Sequence, residues 1–368
     1  MARDKAKEAE VARRVVALGE IVVRAAAAGE DPTFKIPIRA LSNSRWNPKR
    51  SIIELGDATQ ERSLFDLGMA KKFMQSCLVA SGVRDLLKEQ KTTSIRDLFY
   101  MVKHTIPGTD ENSFDEQEES DAVIEDLEVT VNSLREELHL FAENRGALVG
   151  EITIRDRGDI IDGRRMGSGG WSIPSIVEPE VIEFVKCTAK YILLVEKGAV
   201  WNRFNEDKYW EREKCILVHG QGQPPRGVRR LLSRMTSELR LPLYVLVDND
   251  PWGYYIYSVV KQGSINLAYE SLRMAVPSAR FVGLSAFDPE KYRLPKDVQI
   301  RLDPKDVSRA KEIMAYPWFK GRRGWPREIK KMLDNGFKLE IEALSRKGIS
   351  FITEEYLPRK LKEKDWLE

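Results

Sequence analysis

Short apolar segments alternate with helical ones in the second half of the chain, and this order restricts the fold more than any other feature of the sequence. Apolar runs predict strands at 191–195, 215–218, 243–247 and 281–284, with helices between them at 201–213, 227–239 and about 253–261. Strands that alternate with helices build a mostly parallel sheet with helices on its faces. The sequence therefore predicts an α/β domain, followed by a highly charged helical tail at 303–368.

The first half differs, because helices come first and short strands follow. Helices are predicted at 1–30, 63–87 and 94–104, and an acidic run at 109–128 leads into a helix whose apolar stripe extends to Leu138. Helices followed by a small hairpin, predicted from short strands at 147–149, 152–154 and 160–161, suggest a winged-helix domain. We therefore predict an α/β and α+β multidomain protein with an N-terminal arm at 1–62, a winged-helix (CAP-like) domain at 63–175 and the α/β domain with its helical tail at 176–368.

Three carboxylates follow strands of the predicted sheet. Glu196 comes directly after the strand at 191–195, and Asp248 and Asp250 come directly after the strand at 243–247. Functional groups collect at the carboxyl ends of parallel strands, so these side chains are expected to converge. Carboxylates are ligands of Mg²⁺, and a chain with three histidines and no C-x-x-C pair has few other ligands to offer. A single acid after a strand more often caps the next helix, but two at one strand end exceed what capping needs. The sequence predicts a Mg²⁺ site at these three residues.

The same residues carry a resemblance to a known family. Glu196 stands in the run Val195-Glu-Lys197, and the other two acids stand in Asp248-Asn-Asp-Pro-Trp-Gly253. Together with the string at 220–231, these runs resemble the Toprim domain of topoisomerase VI A subunits, which are type IIB DNA topoisomerases related to the eukaryotic protein that makes meiotic double-strand breaks. Upstream, the run Ser94-Ile-Arg-Asp-Leu-Phe-Tyr100 resembles the Arg-x-x-x-Tyr signature of that family.

The resemblance implies a tyrosine nucleophile that becomes covalently joined to a DNA end. Tyr100 is the one tyrosine in the first 190 residues. Arg96 precedes it by four positions, so both side chains share one face of a helix, where the guanidinium can hold a phosphate beside the phenol. The residues of this helix that can face the core are Ile95, Leu98, Phe99 and Val102. The structural alternative is an arginine packed over a tyrosine by ordinary helix contact.

Cofactors and partners are implied by the resemblance as well. It implies an ATP-hydrolysing, Mg²⁺-dependent type II topoisomerase in which a homodimer of this chain cleaves double-stranded DNA through 5′-phosphotyrosyl links and religates it, to relax or decatenate DNA. The string at 220–223 lacks the Gly-Lys-Ser/Thr ending of a Walker motif. ATP is therefore expected on a separate ATPase B subunit, in an A2B2 heterotetramer.

Charge and hydropathy restrict how the chain can contact DNA and where in the cell it is expected. The net charge is +3, so DNA contact is expected from local basic clusters rather than from the whole surface. No run has the roughly 20 apolar residues of a membrane span, so we expect a cytoplasmic, nucleoid-associated protein without a membrane partner. The candidate DNA contacts are Arg155, Arg157, Arg164, Arg165, Arg226, Arg229, Arg230 and Arg234. The competing interpretation is that these arginines are ordinary solvated surface charges.

Three alternatives stay open from the sequence. In the first alternative the chain is a Toprim nuclease or primase that works without a covalent tyrosine. In the second it is a break-forming protein that never religates, and in the third it is a non-enzymatic winged-helix DNA-binding module. The first predicts metal-dependent cleavage that survives Tyr100→Phe, and the last predicts no cleavage at all. The presence of all three carboxylates favours an enzyme.

Overall fold

A computed structural model describes residues 5–322 and 324–368, which divide into two compact units. The first unit comprises the described residues up to Ser44 together with Leu55–Glu143, and the second comprises Arg45–Glu54 and Asn144–Glu368. None of the helices in the described residues has both the length and the apolar character needed to cross a lipid bilayer.

Helices and strands are numbered in chain order along the described residues. The helices are α1 (Lys5–Ala28), α2 (Ala70–Glu89), α3 (Ile95–Val102), α4 (Gln117–Thr130), α5 (Gly198–Glu206), α6 (Tyr209–Glu213), α7 (Arg226–Glu238), α8 (Pro251–Gln262), α9 (Ser271–Met274), α10 (Asp288–Lys291), α11 (Pro304–Ala315), α12 (Pro317–Lys320), α13 (Trp325–Asn335) and α14 (Leu357–Glu363). The strands are β1 (Thr33–Pro37), β2 (Ser44–Asn47), β3 (Ile52–Leu55), β4 (Thr59–Ser63), β5 (Thr93–Ser94), β6 (Leu140–Phe141), β7 (Ala147–Gly150), β8 (Ile152–Asp156), β9 (Asp159–Asp162), β10 (Trp171–Ser172), β11 (Ile182–Cys187), β12 (Tyr191–Val195), β13 (Cys215–His219), β14 (Leu243–Leu246), β15 (Arg280–Phe281), β16 (Ile300–Arg301) and β17 (Phe337–Lys338).

Helices build the core of the first unit. Buried apolar side chains of α2, α3 and α4 pack into one cluster, to which α1 contributes Val11 and Val15. The predicted helix at 1–30 is therefore part of a folded core in its described portion, while residues 1–4 lie outside the described residues. β1 and β4 pair as an antiparallel ribbon beside these helices.

Helix α2 begins at Ala70, not near residue 63 as the apolar spacing predicted. The preceding residues are held in turns by two aspartates. Asp31 accepts a hydrogen bond from the backbone N–H of Phe65 at 3.1 Å, and Asp66 accepts one from the N–H of Gly68 at 2.8 Å. These local bonds compete with helix formation, so the apolar side chains of this segment stay exposed instead of joining the helical stripe.

The helix predicted to extend to Leu138 ends at Thr130. Asn132 adopts a positive φ of 48°, which breaks the helix. A short 3-10 helix, Arg135–Leu138, then returns the chain to the core, so that Leu138 is still fully buried. The apolar stripe identified buried positions correctly but assigned them to one helix.

Ion pairs attach the segment around β1 and β4 to α4. Asp126 of α4 accepts a hydrogen bond from Arg39 at 2.8 Å through one carboxylate oxygen, and its other oxygen contacts Arg62. All three side chains are about nine-tenths buried. Much of the predicted arm is thus fixed to the first unit.

Replacing Asp126 by alanine is expected to lower the free energy of unfolding by about 3 kcal/mol, because two buried guanidinium groups lose their common acceptor. Urea unfolding followed by circular dichroism measures this change. Asp115→Ala is the matched control, since its ion pair with Lys71 is exposed and its loss should hardly move the midpoint. Equal midpoints for the two variants would contradict a stabilising role for Asp126.

A six-stranded sheet with the order β10-β7-β13-β12-β14-β15 forms the centre of the second unit. β13, β12, β14 and β15 run parallel to one another, while β7 and β10 add an antiparallel edge. Every residue of β12 and β14 is buried, as expected for strands covered by helices on both faces. The predicted mostly parallel α/β sheet is confirmed. The helix predicted at 201–213 is divided into α5 and α6, since Lys208 between them has a positive φ of 49°.

We had predicted that the short strands at 147–161 form the wing of the domain that carries α2 and α3. In the structure they belong to the second unit instead. β7 pairs antiparallel with β13 of the central sheet, and β8 and β9 form a three-stranded antiparallel sheet with β11. β8 and β9 pair as a hairpin within the segment, but β13 and β11, the partners of β7 and β8, lie more than 20 residues downstream, so spacing within the segment could not indicate them. The domain boundaries at 62/63 and 175/176 stay a prediction.

Candidate active site

The candidate nucleophile lies on the exposed side of α3. Ser94 caps this helix, because its hydroxyl accepts the backbone N–H of Asp97 at 2.9 Å and donates to the Asp97 carboxylate at 2.8 Å. Leu98 and Phe99 are buried, whereas 62% of Tyr100 is exposed. The predicted core face of this helix is confirmed.

Arg96 is exposed on α3, one helical turn before Tyr100. The Tyr100 hydroxyl has no hydrogen-bond partner among the described residues, and the ring packs edge-on against Phe99 with centroids 5.0 Å apart. A phenol in this position is open to a large substrate, and a neighbouring guanidinium is available to a phosphate. The nucleophile and phosphate-binding roles stay predictions.

The three predicted carboxylates follow two strands that are direct neighbours. β12 and β14 pair in parallel with Val195 opposite Leu246, and the Glu196 N–H donates to the Leu246 carbonyl at 3.2 Å. Glu196 and Asp248 therefore leave the sheet at the same edge. This is the convergence that the strand pattern predicted.

Asp248 is held from two sides. One carboxylate oxygen accepts the Ile341 N–H at 2.8 Å, and the other lies 2.8 Å from the Lys197 ammonium. Lys197 also lies 3.3 Å from a carboxylate oxygen of Glu340 and 3.1 Å from one of Glu342. The ammonium thus partly neutralises three carboxylates at this edge.

Asp250 has the capping role that was the alternative to metal binding. Its Oδ1 accepts the Gly253 N–H at 2.5 Å at the start of α8. A Cβ at Gly253 would lie 2.6 Å from the Asp248 carbonyl oxygen, so only glycine allows this close turn. Capping uses one oxygen of Asp250 and leaves the second for another ligand.

The middle residue of the Asp-Asn-Asp run belongs to a buried network. Asn249 is fully buried and donates to the Tyr254 hydroxyl, which donates to Glu328 at 3.0 Å. Glu328 also accepts the Ser285 hydroxyl at 2.8 Å. These hydrogen bonds fix the backbone that carries the two aspartates.

Burial raises the pKa of each of the three carboxyl groups. Burial, with the charges of Asp248 and Asp250, raises the pKa of Glu196 to about 7. Burial raises the pKa of Asp248 to about 6 despite the nearby Lys197, and burial also raises the pKa of Asp250. One carboxylate oxygen of Glu196, Oε2, is buried without a hydrogen-bond partner among the described residues.

These residues fit a divalent cation by their chemistry. Hard oxygen donors that repel one another and lack a cation are stabilised when Mg²⁺ binds, and one of the oxygens has no competing partner. As their side chains are oriented, however, no three His, Cys, Asp or Glu residues of the described chain could together hold a metal ion. Metal binding by all three carboxylates would therefore require side-chain movement.

Most of the predicted DNA-contact arginines are engaged within the second unit. Arg230 forms a bidentate pair with Glu178 at 2.7 and 2.9 Å, and Arg226 contacts Glu270. Arg229 and Arg234 are buried to more than 95%. These four arginines of α7 thus have structural contacts that basic clustering in the sequence did not indicate.

The other four arginines lie near the three-stranded sheet. Arg155 pairs with Glu183 and Arg164 pairs with Asp162, in both cases at the surface. Arg157 and Arg165 are exposed. DNA contact by any of the eight arginines stays a prediction.

Two groups of residues were missed by sequence reasoning. Glu340 and Glu342 join the acidic edge from a segment more than 90 residues beyond Asp248, and their alternation around Ile341 was the available signal. Glu328 had no such signal, because it reaches Asn249 only through Tyr254.

Comparison with known proteins adds independent information. Residues 191–361 match the family model of the Toprim domain shared by the topoisomerase 6 A subunit and Spo11, 71–140 match that of type IIB DNA topoisomerases, and 142–188 match that of the all-beta domain in the DNA topoisomerase VI alpha subunit. The A subunit of type 2 DNA topoisomerase 6 from Hyperthermus butylicus is 43% identical over 356 residues, covering 92% of this chain and 91% of that protein. The corresponding protein of Pyrococcus horikoshii is 40% identical, covering 96% of this chain and 94% of that protein.

The chain belongs to the family of topoisomerase VI A subunits. Similarity extends to plants, since the DNA topoisomerase 6 A subunit of Arabidopsis thaliana is 33% identical and covers 94% of this chain and 79% of that protein. The three family models separate the helices that carry Tyr100, the three-stranded sheet and the domain that carries the carboxylates. The family resemblance and the Toprim domain expected from the sequence are confirmed.

Proposed function

We propose that this chain is the DNA-cleaving subunit of a type IIB topoisomerase, with Tyr100 as nucleophile and Glu196, Asp248 and Asp250 as Mg²⁺ ligands. The observation that carries the proposal is the clustering of the carboxylates of Glu196, Asp248 and Asp250, one buried and two half-buried, in a chain of this family that also exposes a tyrosine beside an arginine. A purely structural cluster would be expected to pair its oxygens, whereas Glu196 leaves one without a partner.

The proposed chemistry is transesterification. The Tyr100 oxygen attacks a backbone phosphorus, the bond from phosphorus to the 3′ oxygen breaks, the phenolic proton goes to solvent or a nearby base, and the 3′ oxygen leaves as a hydroxyl. Because a phosphodiester replaces a phosphodiester, the reverse attack by the 3′ hydroxyl reseals the strand without an external energy source. Arg96 holds the phosphate beside the phenol.

Mg²⁺ held by the three carboxylates would supply positive charge close to the scissile phosphate. The residues of this chain prepare that position. Asp250 orients one carboxylate through its cap on α8, the Asn249 network fixes the backbone, and Lys197 stabilises Asp248 until it is displaced.

The assembly belongs to the same proposal. We propose that two copies of this chain present two tyrosines to opposite strands of double-stranded DNA, that Tyr100 of one protomer works with the carboxylates of the other, and that an ATPase B subunit completes an A2B2 heterotetramer. The similar proteins are named as A subunits, which supports the need for a second kind of subunit. Such an enzyme would act on nucleoid DNA in the cytoplasm, and α2 and α3 would serve as the helix pair of a winged-helix domain.

Trapping of covalent complexes tests the proposal. The chain, with and without the ATPase subunit of a relative, is incubated with supercoiled DNA and Mg²⁺, denatured with detergent, and digested so that protein-linked DNA ends can be mapped. We expect a 5′ phosphate linked to the peptide that contains Tyr100. Cleaved DNA without linked protein would instead indicate a hydrolytic Toprim enzyme.

A further inference from the structure

An exposed tryptophan follows the candidate metal ligands Asp248 and Asp250 in the chain. Trp252 is the second residue of α8, two positions after Asp250, which caps that helix. α8 is described in full, and Trp252 is its one exposed residue, with 50% of its surface accessible. All eight tryptophans of the chain lie in the described residues, and the other seven are buried or half-buried. Trp252 thus combines a large exposed aromatic ring with a position in the chain directly after the candidate metal ligands.

The ring is supported on one side by an arginine from α11. The Arg309 guanidinium carbon lies 5.1 Å from the Trp252 ring centre and 4.1 Å from that of Tyr255, one turn further along α8. Arg309 is itself fixed by Glu312, which it contacts at 2.7 Å. The Arg309 side chain is only 15% exposed, so the guanidinium acts as a spacer between two aromatic rings. Trp252 is thus held in one orientation before any ligand arrives, while half of its surface stays open.

We propose that the open face of Trp252 binds a DNA base next to the carboxylates. This inference rests on the proposed function, since it takes the ligand to be the DNA whose phosphate approaches these carboxylates. A neutral indole does not attract phosphate, but its flat face stacks on any nucleobase. A preorganised aromatic ring loses little rotational freedom on binding, and a ring inserted at a base step holds the DNA in a kinked form. Trp252 would then be a positioning residue that fixes the DNA relative to the metal ligands.

Binding of a duplex oligonucleotide by the full-length chain, without divalent metal so that cleavage is blocked, tests this inference. Stacking on one base predicts that Trp252→Ala weakens binding about tenfold, while Trp252→Phe keeps most of the affinity. Because the indole is uncharged, the slope of log Kd against log salt should be the same for both variants and the unchanged protein. Leu272→Ala, which removes a 70% exposed apolar side chain elsewhere in the second unit, is the control and should bind normally.

A photochemical experiment gives a second readout that a merely structural residue would not produce. Iodouracil placed at successive positions of the duplex should crosslink to the peptide that contains Trp252 when the base lies against the ring. Unchanged DNA affinity of Trp252→Ala, with no crosslink at any position, would overturn the inference. Loss of dimers in sedimentation, with unchanged DNA affinity, would also overturn it and assign Trp252 to a protein contact instead.

Failure of this inference can be told apart from failure of the proposed function. The covalent link is measured on the unchanged protein, which keeps Tyr100, all three carboxylates and Trp252, so that measurement reports on the proposed function alone. If the unchanged protein binds DNA through Trp252 but never forms a covalent link, the proposed function fails and the inference stands. If covalent links form and Trp252→Ala binds like the unchanged protein, only the inference fails.

Discussion

Tyr100→Phe should bind DNA normally and form no covalent complex. The substitution removes the attacking oxygen and leaves the ring, which packs edge-on against Phe99. Because 62% of Tyr100 is exposed and its hydroxyl has no partner in the described chain, the free energy of unfolding should change little. Detergent-trapped protein–DNA complexes should fall below detection, and DNA affinity should stay within about twofold of the unchanged protein.

Tyr292→Phe is the matched control for this experiment. Tyr292 is a buried tyrosine of the second unit whose hydroxyl also has no hydrogen-bond partner among the described residues. Its variant loses one hydroxyl in the same way and should cleave normally. If covalent complexes persist in Tyr100→Phe, the assignment of Tyr100 as the nucleophile is wrong. No other tyrosine among the first 190 residues could take over its role, because Tyr100 is the one tyrosine there.

Glu196→Gln should make the metal-free protein more stable and the enzyme inactive. Burial and the charges of Asp248 and Asp250 raise the pKa of Glu196 to about 7, so the ionised side chain destabilises the folded state. Removing that charge should raise the free energy of unfolding by on the order of 2 kcal/mol at about pH 8. Removal of one ligand of the candidate metal site should at the same time reduce Mg²⁺-dependent DNA cleavage by about 100-fold or more.

The destabilising effect of the Glu196 charge should depend on pH. A carboxyl group whose pKa is raised by folding destabilises the protein once it ionises, so this contribution grows as the pH rises from its ordinary value near 4.5 through about 7. The thermal midpoints of Glu196→Gln and the unchanged protein should therefore converge near about pH 4, separate between about pH 4.5 and 7, and stay apart at higher pH. Mg²⁺ should raise the midpoint of the unchanged protein more than that of the variant, because it binds only the folded state.

Glu206→Gln is the matched control, since Glu206 is an exposed residue of α5 in the same unit. Its midpoint should respond to pH and Mg²⁺ like that of the unchanged protein. If Glu196→Gln kept full cleavage and the full Mg²⁺ response, the carboxylate cluster would have to be assigned a structural role.

The tyrosine helix shows how far local sequence can go. The helical repeat of about 3.6 residues per turn decides which side chains of α3 face the core, so Leu98 and Val102 were predicted as buried and Arg96 and Tyr100 as neighbours from spacing alone. The capping contact of Ser94 with Asp97 is equally local. Residue spacing along α3 could not predict that Tyr100 is exposed. Its exposure depends on which surface of α3 the other segments of the first unit leave uncovered.

The surroundings of the three carboxylates at the ends of β12 and β14 depend on longer-range contacts. The positions of Glu196, Asp248 and Asp250 followed from the strand pattern, because parallel strands end at one edge of a sheet. The contact of Lys197 with Glu340 and Glu342 did not follow, since the segment at 339–342 reaches this edge through hydrogen bonds of Asn249 with Leu339. The same limit explains the arginines of α7, whose carboxylate partners Glu178 and Glu270 lie about 40 to 50 residues away in the chain.

Local patterns were enough to predict the alternation of strands and helices, the core face of α3, the strand-end positions of the carboxylates and the family. Each of these depends on spacing within one element or on the order of elements along the chain. Long-range contacts were needed to show that β7 joins the central sheet, that α2 begins at Ala70, that Arg226 and Arg230 of α7 are paired and that Trp252 stays open over Arg309. These features depend on which distant segments meet, and pairing between distant segments leaves no fixed spacing in the sequence.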